Sequence, residues 1–240
     1  MKARKLCSDS TITICNLEFS QISQLSDLQP DGWYNVVEFF NYWFDKTYFH
    51  PIVVVDNEKV IGVANAFKNG KTAWLGNIII HREYRKKGFG KNLTRAIMSL
   101  MKDMECSNQI LTATNDGYPL YKKLGFKTSL LYNFYKCDKK IDFAPNNSIE
   151  HATTEDYNEI YKLDMEISGE DRKHILEEYI STAYIIKKGK NIQGFFMPEA
   201  GEGLIIADNN NIGIELLKYK LSSGLKKIVV PEGNPEIEKF

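Results

Sequence analysis

The sequence predicts an α+β protein with a mixed, mostly antiparallel central sheet flanked by helices, followed by a second lobe of similar design. Three observations support this prediction. Three β-branched segments follow one another with turn residues between them, as in an antiparallel meander. A long amphipathic helix begins directly after a glycine-containing loop. Beyond a polar segment near residue 140, part of the same element order recurs without obvious residue identity.

Length and composition limit the classes of function. The 240 residues suffice for two small lobes. Lys plus Arg and Asp plus Glu are balanced at 31 each, so we expect neither a nucleic acid nor a membrane as partner. The four cysteines form no CxxC pair and no zinc pattern, which predicts reduced thiols and no metal. With no signal peptide and no apolar segment long enough for a bilayer, we expect a cytoplasmic protein.

The first half is predicted to run β-α-α-β-β-β-α-β-α-β. The turn residues Asn69 and Gly70 close the hairpin between the second and third meander strands. The second helix carries a broad aromatic face, which favours core or pocket wall. In chain order, the strands are expected over residues 11–14, 51–55, 60–67, 72–80, 109–113 and 127–136, and the helices over residues 19–28, 33–44, 90–104 and 119–124.

The junction between the strand over residues 72–80 and the next helix is the most informative feature. Its loop reads Arg85-Lys86-Lys87-Gly88-Phe89-Gly90. Glycine permits positive φ and close approach of a ligand, and a helix start offers free N–H groups and the positive end of the helix dipole. These properties predict an anion site suited to phosphates. Taken alone, the loop also fits a turn with a solvated basic face.

The loop does not match two common nucleotide motifs. A Walker loop requires G-x-x-x-x-G-K-[ST], which is absent from this stretch. A dinucleotide fingerprint requires a third glycine, and Leu93 stands at that position. The antiparallel meander before the loop also argues against both classes.

A second motif follows downstream and narrows the interpretation. It reads Leu120-Tyr121-Lys122-Lys123-Leu124-Gly125-Phe126. Together, the two motifs resemble the GNAT family of N-acetyltransferases, whose R/Q-x-x-G-x-G/A loop is matched by Arg85, Gly88 and Gly90. The resemblance covers residues 11–136. The surrounding pattern A-T-x-x-G-x-P-L-Y-x-x-L-G-F is similar to a bacterial two-domain (YitH-like) subset with a degenerate C-terminal GNAT-like domain.

The resemblance implies acetyl-CoA as co-substrate and Tyr121 as general acid. The family's strand before the loop hydrogen-bonds the pantetheine arm, its loop N–H groups hold the pyrophosphate, and Thr114 stands where many members have an asparagine that contacts the cofactor. A phenol and a thiol, with ordinary pKa values of about 10 and about 8.5, suit proton donation to the leaving thiolate. The implied cofactor-binding residues are Ile78, Ile79, Ile80, Arg85, Lys86, Lys87, Gly88, Phe89, Gly90, Lys91 and Thr114.

A general base is required as well, because an amine is mostly protonated at pH 7. The sequence does not identify it. Glu38 is a weak candidate on the aromatic helix, and His81 and Glu83 are others. Each of these residue types is also common on ordinary surfaces, and a water chain could serve instead.

The predicted organisation is a catalytic domain over residues 1–137, a linker over 138–147 and a degenerate GNAT-like domain over 148–240. No R-x-x-G-x-G loop occurs in the second half, where the equivalent junction reads Ala207-Asp208-Asn209-Asn210-Asn211. We therefore expect a single pyrophosphate site. Asp171 and Arg172 are weak candidates for binding a polar substrate group, or else form an internal pair. The resemblance also predicts further elements after residue 240, so the lobe is either short or truncated.

The leading hypothesis is transfer of an acetyl group from acetyl-CoA to the primary amine of a small metabolite, by direct attack in a ternary complex. The second lobe is expected to shape the acceptor pocket, in a monomer or a homodimer. Two alternatives stay open: a non-catalytic acyl-CoA-binding sensor, and an N-acetyltransferase that acts on proteins or peptides.

Overall fold

The computed structural model describes residues 4–5, 12–137 and 141–233. Cys7, part of the predicted linker and the end of the chain lie outside these ranges. The chain divides between Lys127 and Thr128 into two compact units. Among the described helices, none combines the length and the apolar character needed to cross a membrane.

The first unit is built on one mixed sheet with helices. Its six described strands lie in chain order across the sheet. The strands are β1 (Arg4–Lys5), β2 (Ile12–Asn16), β3 (Phe49–Asp56), β4 (Lys59–Asn69), β5 (Thr72–Ile80) and β6 (Asn108–Ile110), and the α-helices are α1 (Val36–Trp43), α2 (Phe89–Asp103) and α3 (Tyr118–Lys123). Short 3-10 helices span Phe19–Leu28 and Arg82–Tyr84.

The sheet is antiparallel except at its last pair, in agreement with the predicted class. Strands β1 to β5 pair antiparallel, and β5 pairs with β6 in parallel. Helix α2 buries Leu93, Ile97 and Met101 against one face, where they meet the alternate residues Ile52 and Val54 of β3. The apolar residues that recur with a 3.6-residue period on α2 and a two-residue period on β3 therefore pack into one core.

The parallel pair is short, and this opens the sheet. Only Thr72, Ala73 and Trp74 pair with β6, while β5 continues to Ile80. Beyond Trp74 the two strands no longer form ladder pairs, so the edge of β5 facing β6 is free over its second half. A gap between splayed strands is where a ligand can reach main-chain groups.

Two helices differ from their predictions. The segment over residues 19–28 is a 3-10 helix, and the helix predicted over 33–44 begins at Val36, where Asn35 accepts a hydrogen bond from the Glu38 N–H at 3.2 Å. A cap at Asn35 excludes Trp33 and Tyr34 from the helix. The aromatic face of α1 packs as core, since Phe40 is fully buried against Phe49.

The second unit contains a four-stranded sheet, a two-stranded ribbon and helices among its described residues. All of its strand pairs are antiparallel. The strands are β7 (Tyr132–Lys136), β8 (Ile149–His151), β9 (Tyr184–Lys188), β10 (Asn191–Met197), β11 (Leu204–Ala207) and β12 (Lys227–Pro231), and the helices are α4 (Tyr157–Ser168), α5 (Lys173–Leu176), α6 (Asn210–Ser222) and a 3-10 turn, Ile180–Thr182.

The pairing of β7 corrects the predicted topology of the first half. This strand was expected to close the first lobe, but it pairs with β12 near the end of the described chain, with Phe134 opposite Val229. The local sequence does not indicate a partner so distant along the chain, because strand propensity predicts that a strand forms and not which strand it pairs with. The functional domain boundaries at residues 137 and 148 remain predictions.

Candidate active site

A cavity of about 960 Å³ lies in the first unit, where β5 and β6 separate. This volume is at the upper end of the range for small-molecule and cofactor sites, about 300–1,000 Å³. Four segments line it, namely the chain before α1, the second half of β5, the loop before α2, and the chain from β6 into α3. From the predicted set it is lined by Ile78, Ile79, Ile80, Arg85, Lys86, Gly90, Thr114 and Tyr121.

The free edge of β5 supplies main-chain groups to this cavity. The His81 N–H donates to the Ile61 oxygen on β4 at 2.9 Å. Because main-chain groups alternate in direction along a strand, those of Ile80 point to the opposite edge. The Ile80 oxygen is held there by the Arg85 Nε, at 3.0 Å. Arg85 is thereby fixed at the rim, and the Ile80 N–H is left directed toward the gap.

A bulge in β5 shapes the wall beside this edge. The β4–β5 register shifts between Val63 and Asn65, and Asn77 adopts a positive φ of 48°. The buried Asn77 side chain donates to the Asn65 oxygen at 2.8 Å and accepts from the Tyr34 hydroxyl at 2.6 Å. These bonds fix the strained residue and tie the chain before α1 to the bulge. Burial raises the pKa of the Tyr34 phenol.

The loop before α2 has the backbone geometry of an anion site. Lys86 and Gly88 both have positive φ, at 61° and 88°. Gly88 is the N-cap of α2 and has no side chain to cap the first N–H groups, which remain directed out of the helix start. Successive N–H groups in this left-handed arrangement form a concave anion-binding nest. The positive end of the 15-residue helix α2 adds to it.

Tyr121 on α3 forms the opposite wall. Burial raises the pKa of its phenol, so the hydroxyl stays protonated at neutral pH. The ring packs edge-on against Phe126, with centroids 6.0 Å apart. Thr114 lies one turn before α3, where its oxygen atoms accept the Gly117 N–H. The arrangement presents a neutral proton donor to a cavity whose other walls carry main-chain donors.

Residues 16–126 match the family model "Acetyltransferase (GNAT) family". This segment is a GNAT domain. The match includes the splayed strands, the loop and α3 with Tyr121, so the family resemblance predicted from the sequence is confirmed for this segment.

Two curated proteins resemble the chain. The uncharacterized N-acetyltransferase YitH of Bacillus subtilis is 27% identical over 130 residues, which cover 52% of this chain and 44% of YitH. The uncharacterized N-acetyltransferase ycf52 of Pyropia yezoensis is 34% identical over 71 residues, or 29% of this chain and 41% of ycf52. The matched regions span less than half the length of either relative.

Solved structures extend the likeness in fold to both units. A candidate acetyltransferase from Pyrococcus horikoshii superposes with a TM-score of 0.78 at 18% identity, over 98% of this chain and 85% of that one. A tandem GNAT protein from the clavulanic acid biosynthesis pathway gives a TM-score of 0.61 at 12% identity, over 95% and 93%. The predicted GNAT fold with a second GNAT-like lobe is confirmed.

Four residues of the predicted cofactor set do not line the cavity itself. Gly88 supplies the N-cap of α2, and the Phe89 side chain packs on the core beneath that helix. The Lys87 ammonium lies over the Tyr84 ring, 5.3 Å from its centroid. Lys91 belongs to the first turn of α2. Any contact of these four with a ligand in the cavity would therefore come from the main chain or require a side chain to change its position.

The three predicted base candidates are placed unfavourably. Glu38 accepts from the Asn35 amide at 2.9 Å and does not line the cavity. The Glu83 side chain is not at the cavity either. His81 does line it, but its Nδ1 accepts the Glu83 N–H at 3.3 Å. A neutral imidazole whose Nδ1 accepts carries its hydrogen on Nε2, which leaves no free lone pair for the cavity.

In the second unit, Arg172 is paired internally. Its guanidinium donates twice to the Asp164 carboxylate, at 2.7 and 2.8 Å, and Asp164 is 1% exposed. Burial lowers the pKa of Arg172, but the bonds to Asp164 and the nearby Glu170 outweigh it, and the net pKa is raised. This is the internal-pair alternative, formed with Asp164 and not with the exposed Asp171.

Several cavity residues were missed from the sequence. Asp27, Asp31 and Trp33 reach the cavity from the chain before α1, and Asp116 and Gly117 from the turn before α3. The first three had been assigned to helices or to the turn between them, and no local pattern distinguishes them. Gly117 has a signal, because it stands four residues before Tyr121 at helical spacing.

Metal ligands are not clustered in the part of the chain that the structure describes. No group of three or more His, Cys, Asp or Glu side chains there could hold an ion. The polar side chains of the cavity are instead hydroxyls, amides, carboxylates and the basic groups of His81, Arg82, Arg85 and Lys86.

Proposed function

We propose that the GNAT domain transfers the acetyl group of acetyl-CoA to the primary amine of a small metabolite, by direct attack in a ternary complex. One observation carries the proposal. The free edge of β5, the nest before α2 and the Tyr121 hydroxyl meet at one cavity. These are the groups needed to hold a thioester, an adjoining pyrophosphate and a leaving thiolate.

The roles follow from the chemistry of each group. The loop N–H groups and Arg85 bind the pyrophosphate, and the β5 edge binds the pantetheine amides. A main-chain N–H of β5 polarises the thioester carbonyl. The neutral amine nitrogen forms a bond to the carbonyl carbon, the C–S bond breaks, and Tyr121 gives its proton to the departing sulfur. The proton lost from the acylated nitrogen passes to solvent, and the phenol takes a proton back from solvent.

The acceptor side of the cavity favours an amine. Asp27 and Asp31 line it from the chain before α1. Carboxylates attract a protonated amine and repel an anionic acceptor. The amine must lose a proton before attack, and a water within reach of these carboxylates can pass that proton to solvent. Trp33 adds an apolar surface beside them.

The proposal is tested by acetyl transfer with purified protein. Acetyl-CoA is offered with a panel of amino acids, polyamines and aminoglycosides, and release of CoA is followed with a thiol reagent. Tyr121→Phe should lower kcat about 10²-fold or more, because it removes the acid, and leave the Kd for acetyl-CoA nearly unchanged. An unchanged rate would exclude Tyr121 as the acid.

Calorimetry separates this activity from the sensor alternative. Titration with acetyl-CoA should give one site per chain, because the α6 helix start, the counterpart of the α2 nest, is capped by Asn209, whose side chain accepts the Ile212 N–H at 3.1 Å. Binding without CoA release from any amine of the panel would support a sensor and contradict the transferase.

A further inference from the structure

Gly117 occupies a position where neither the backbone nor the helix start requires glycine. Its φ and ψ are −80° and −31°, in the right-handed region open to every residue. It directly precedes α3 with helical dihedral angles, and one turn earlier the Thr114 hydroxyl accepts its N–H at 3.2 Å, so the helix start is bonded without any side chain at 117. Something other than conformation therefore accounts for the missing side chain.

The space over Gly117 is filled by the Tyr121 ring. Side chains in a helix lean toward its N-terminus, so the residue at i+4 covers residue i. A Cβ built on Gly117 would lie 2.7 Å from Cε2 of Tyr121 and 3.2 Å from both its Cζ and its hydroxyl oxygen. The first distance is shorter than side-chain atoms tolerate. Any side chain at 117 would displace the end of the ring that carries the hydroxyl.

The C-terminal end of the same helix supplies a second contact to the ring. Gly125 has a φ of 96° and turns the chain back, so that the Phe126 N–H donates to the main-chain carbonyl oxygen of Tyr121 at 3.1 Å. The Phe126 ring then meets the Tyr121 ring edge-on. The position of the Tyr121 ring is therefore restricted by its contact with Phe126 and by the backbone surface at Gly117.

We propose that Gly117 is a positioning residue for Tyr121, because its missing side chain leaves the space that sets where the hydroxyl enters the cavity. This inference rests on the proposed function, in which that hydroxyl protonates the leaving thiolate. It requires that position 117, four residues before the general acid, carry no side chain. The ring then has space on its side toward the start of α3.

Gly117→Ala is the direct test. The atoms met by the new Cβ belong to the end of a rotatable side chain, so the ring moves and the fold is retained. A displacement of about 1 Å at a reacting group can cost about 10²-fold in rate. We expect kcat with the best amine of the panel to fall about 10- to 100-fold. The KM for acetyl-CoA should stay within about twofold, because the loop and the β5 edge are untouched.

Gly213→Ala is the matched control. Gly213 lies in α6, in the second unit, and a Cβ there would meet only Ala207, at an ordinary contact distance of 3.6 Å. The substitution repeats the chemical change in a helix without the clash. It should leave kcat and KM unaltered.

A double-mutant cycle shows whether Gly117 acts through the hydroxyl. In the Tyr121→Phe background the ring still moves, but no proton donor is misplaced. Gly117→Ala should therefore lower kcat in the wild type and have little further effect in Tyr121→Phe. An equal loss in both backgrounds would overturn the inference, as would an unchanged rate in Gly117→Ala while Tyr121→Phe is impaired.

A crystal structure of Gly117→Ala keeps this inference separate from the proposed function. We expect the Tyr121 hydroxyl to be displaced from its wild-type position. A ring in its original place would overturn the positioning role whatever the kinetics. If Tyr121→Phe alone transfers acetyl at the wild-type rate, the general-acid role fails, and the crystal structure still decides whether Gly117 sets the ring.

Discussion

Tyr121 shows how its surroundings make a common residue a candidate proton donor. It is one of 13 tyrosines, and a tyrosine taken alone is more often a packing residue than a catalytic one. In the structure its phenol lies at a cavity wall, and burial raises its pKa above the ordinary value of a tyrosine. A phenol kept neutral can donate a proton over the whole neutral range.

The raised pKa gives a pH prediction. The acceptor amine must be neutral, so kcat/KM should rise with pH, and it should fall only when Tyr121 ionises, above about pH 10. Tyr121→Phe should lose this falling limb, whereas Tyr118→Phe, at an exposed neighbour, should keep it. A pH–rate profile from about pH 6 to 11 measures both limbs. A falling limb well below pH 10, or one retained in Tyr121→Phe, would contradict the assignment.

At the scale of elements, the anion site proposed for the loop before α2 depends more on the backbone conformation of the loop than on the charges of its side chains. Lys87 and Lys91 suggest an electrostatic site, yet the structure turns Lys87 over Tyr84. Lys86, which lines the cavity, and Gly88, which directly precedes α2, are both left-handed, and the helix start that follows them is uncapped. The affinity for a pyrophosphate should therefore be sensitive to Gly88.

Gly88→Ala should weaken acetyl-CoA binding about 5- to 30-fold, since a left-handed Ala costs about 1–2 kcal/mol and the exposed loop can relax out of shape. No atom lies within 4 Å of the new Cβ, so a steric clash does not contribute. Isothermal titration with acetyl-CoA measures the change in Kd.

Gly189→Ala provides the comparison for Gly88. Gly189 also has positive φ and open space, but it lies in the β9–β10 turn of the second unit. It should lower the unfolding temperature slightly and leave the Kd for acetyl-CoA unchanged. Equal losses of affinity in the two variants would contradict a local role of Gly88.

At the scale of the whole molecule, the two units use the same elements differently. In the first, a strand-to-helix junction carries glycine and an open helix start. In the second, Asn209 fills the corresponding position and caps α6 with its own side chain. The second unit instead buries an ion pair between Asp164 and Arg172.

Arg172→Met should destabilise the second unit by about 3–5 kcal/mol, because it leaves the buried Asp164 carboxylate without a partner. Chemical denaturation followed by far-ultraviolet circular dichroism measures the loss. Lys173→Met, which removes an exposed pair with Glu177, should cost less than about 1 kcal/mol. A stable Arg172→Met protein with a raised KM for the amine would favour the substrate-binding role predicted from the sequence.

Local patterns were sufficient for most of the element order and for the principal groups of the site. The meander, α2 and α3 follow from periodicity and from glycine and proline positions, and strand β5 has the predicted bounds. Arg85, Gly88 and Tyr121 could be selected from two short motifs that resemble those of the family, because the residues of each motif lie within a few positions of one another.

The tertiary structure decided where those groups meet and what holds them there. The sheet opens because β6 stops pairing after Trp74, and the Asn77 bulge is fixed by Tyr34, far away in sequence. Strand β7 pairs with β12, which lies near the C-terminal end of the described residues. The sequence by itself determined the elements and the chemical groups, whose preferences are local. The cavity, the partners of β7 and the space at Gly117 depend on contacts between segments and on the volume left over when side chains pack.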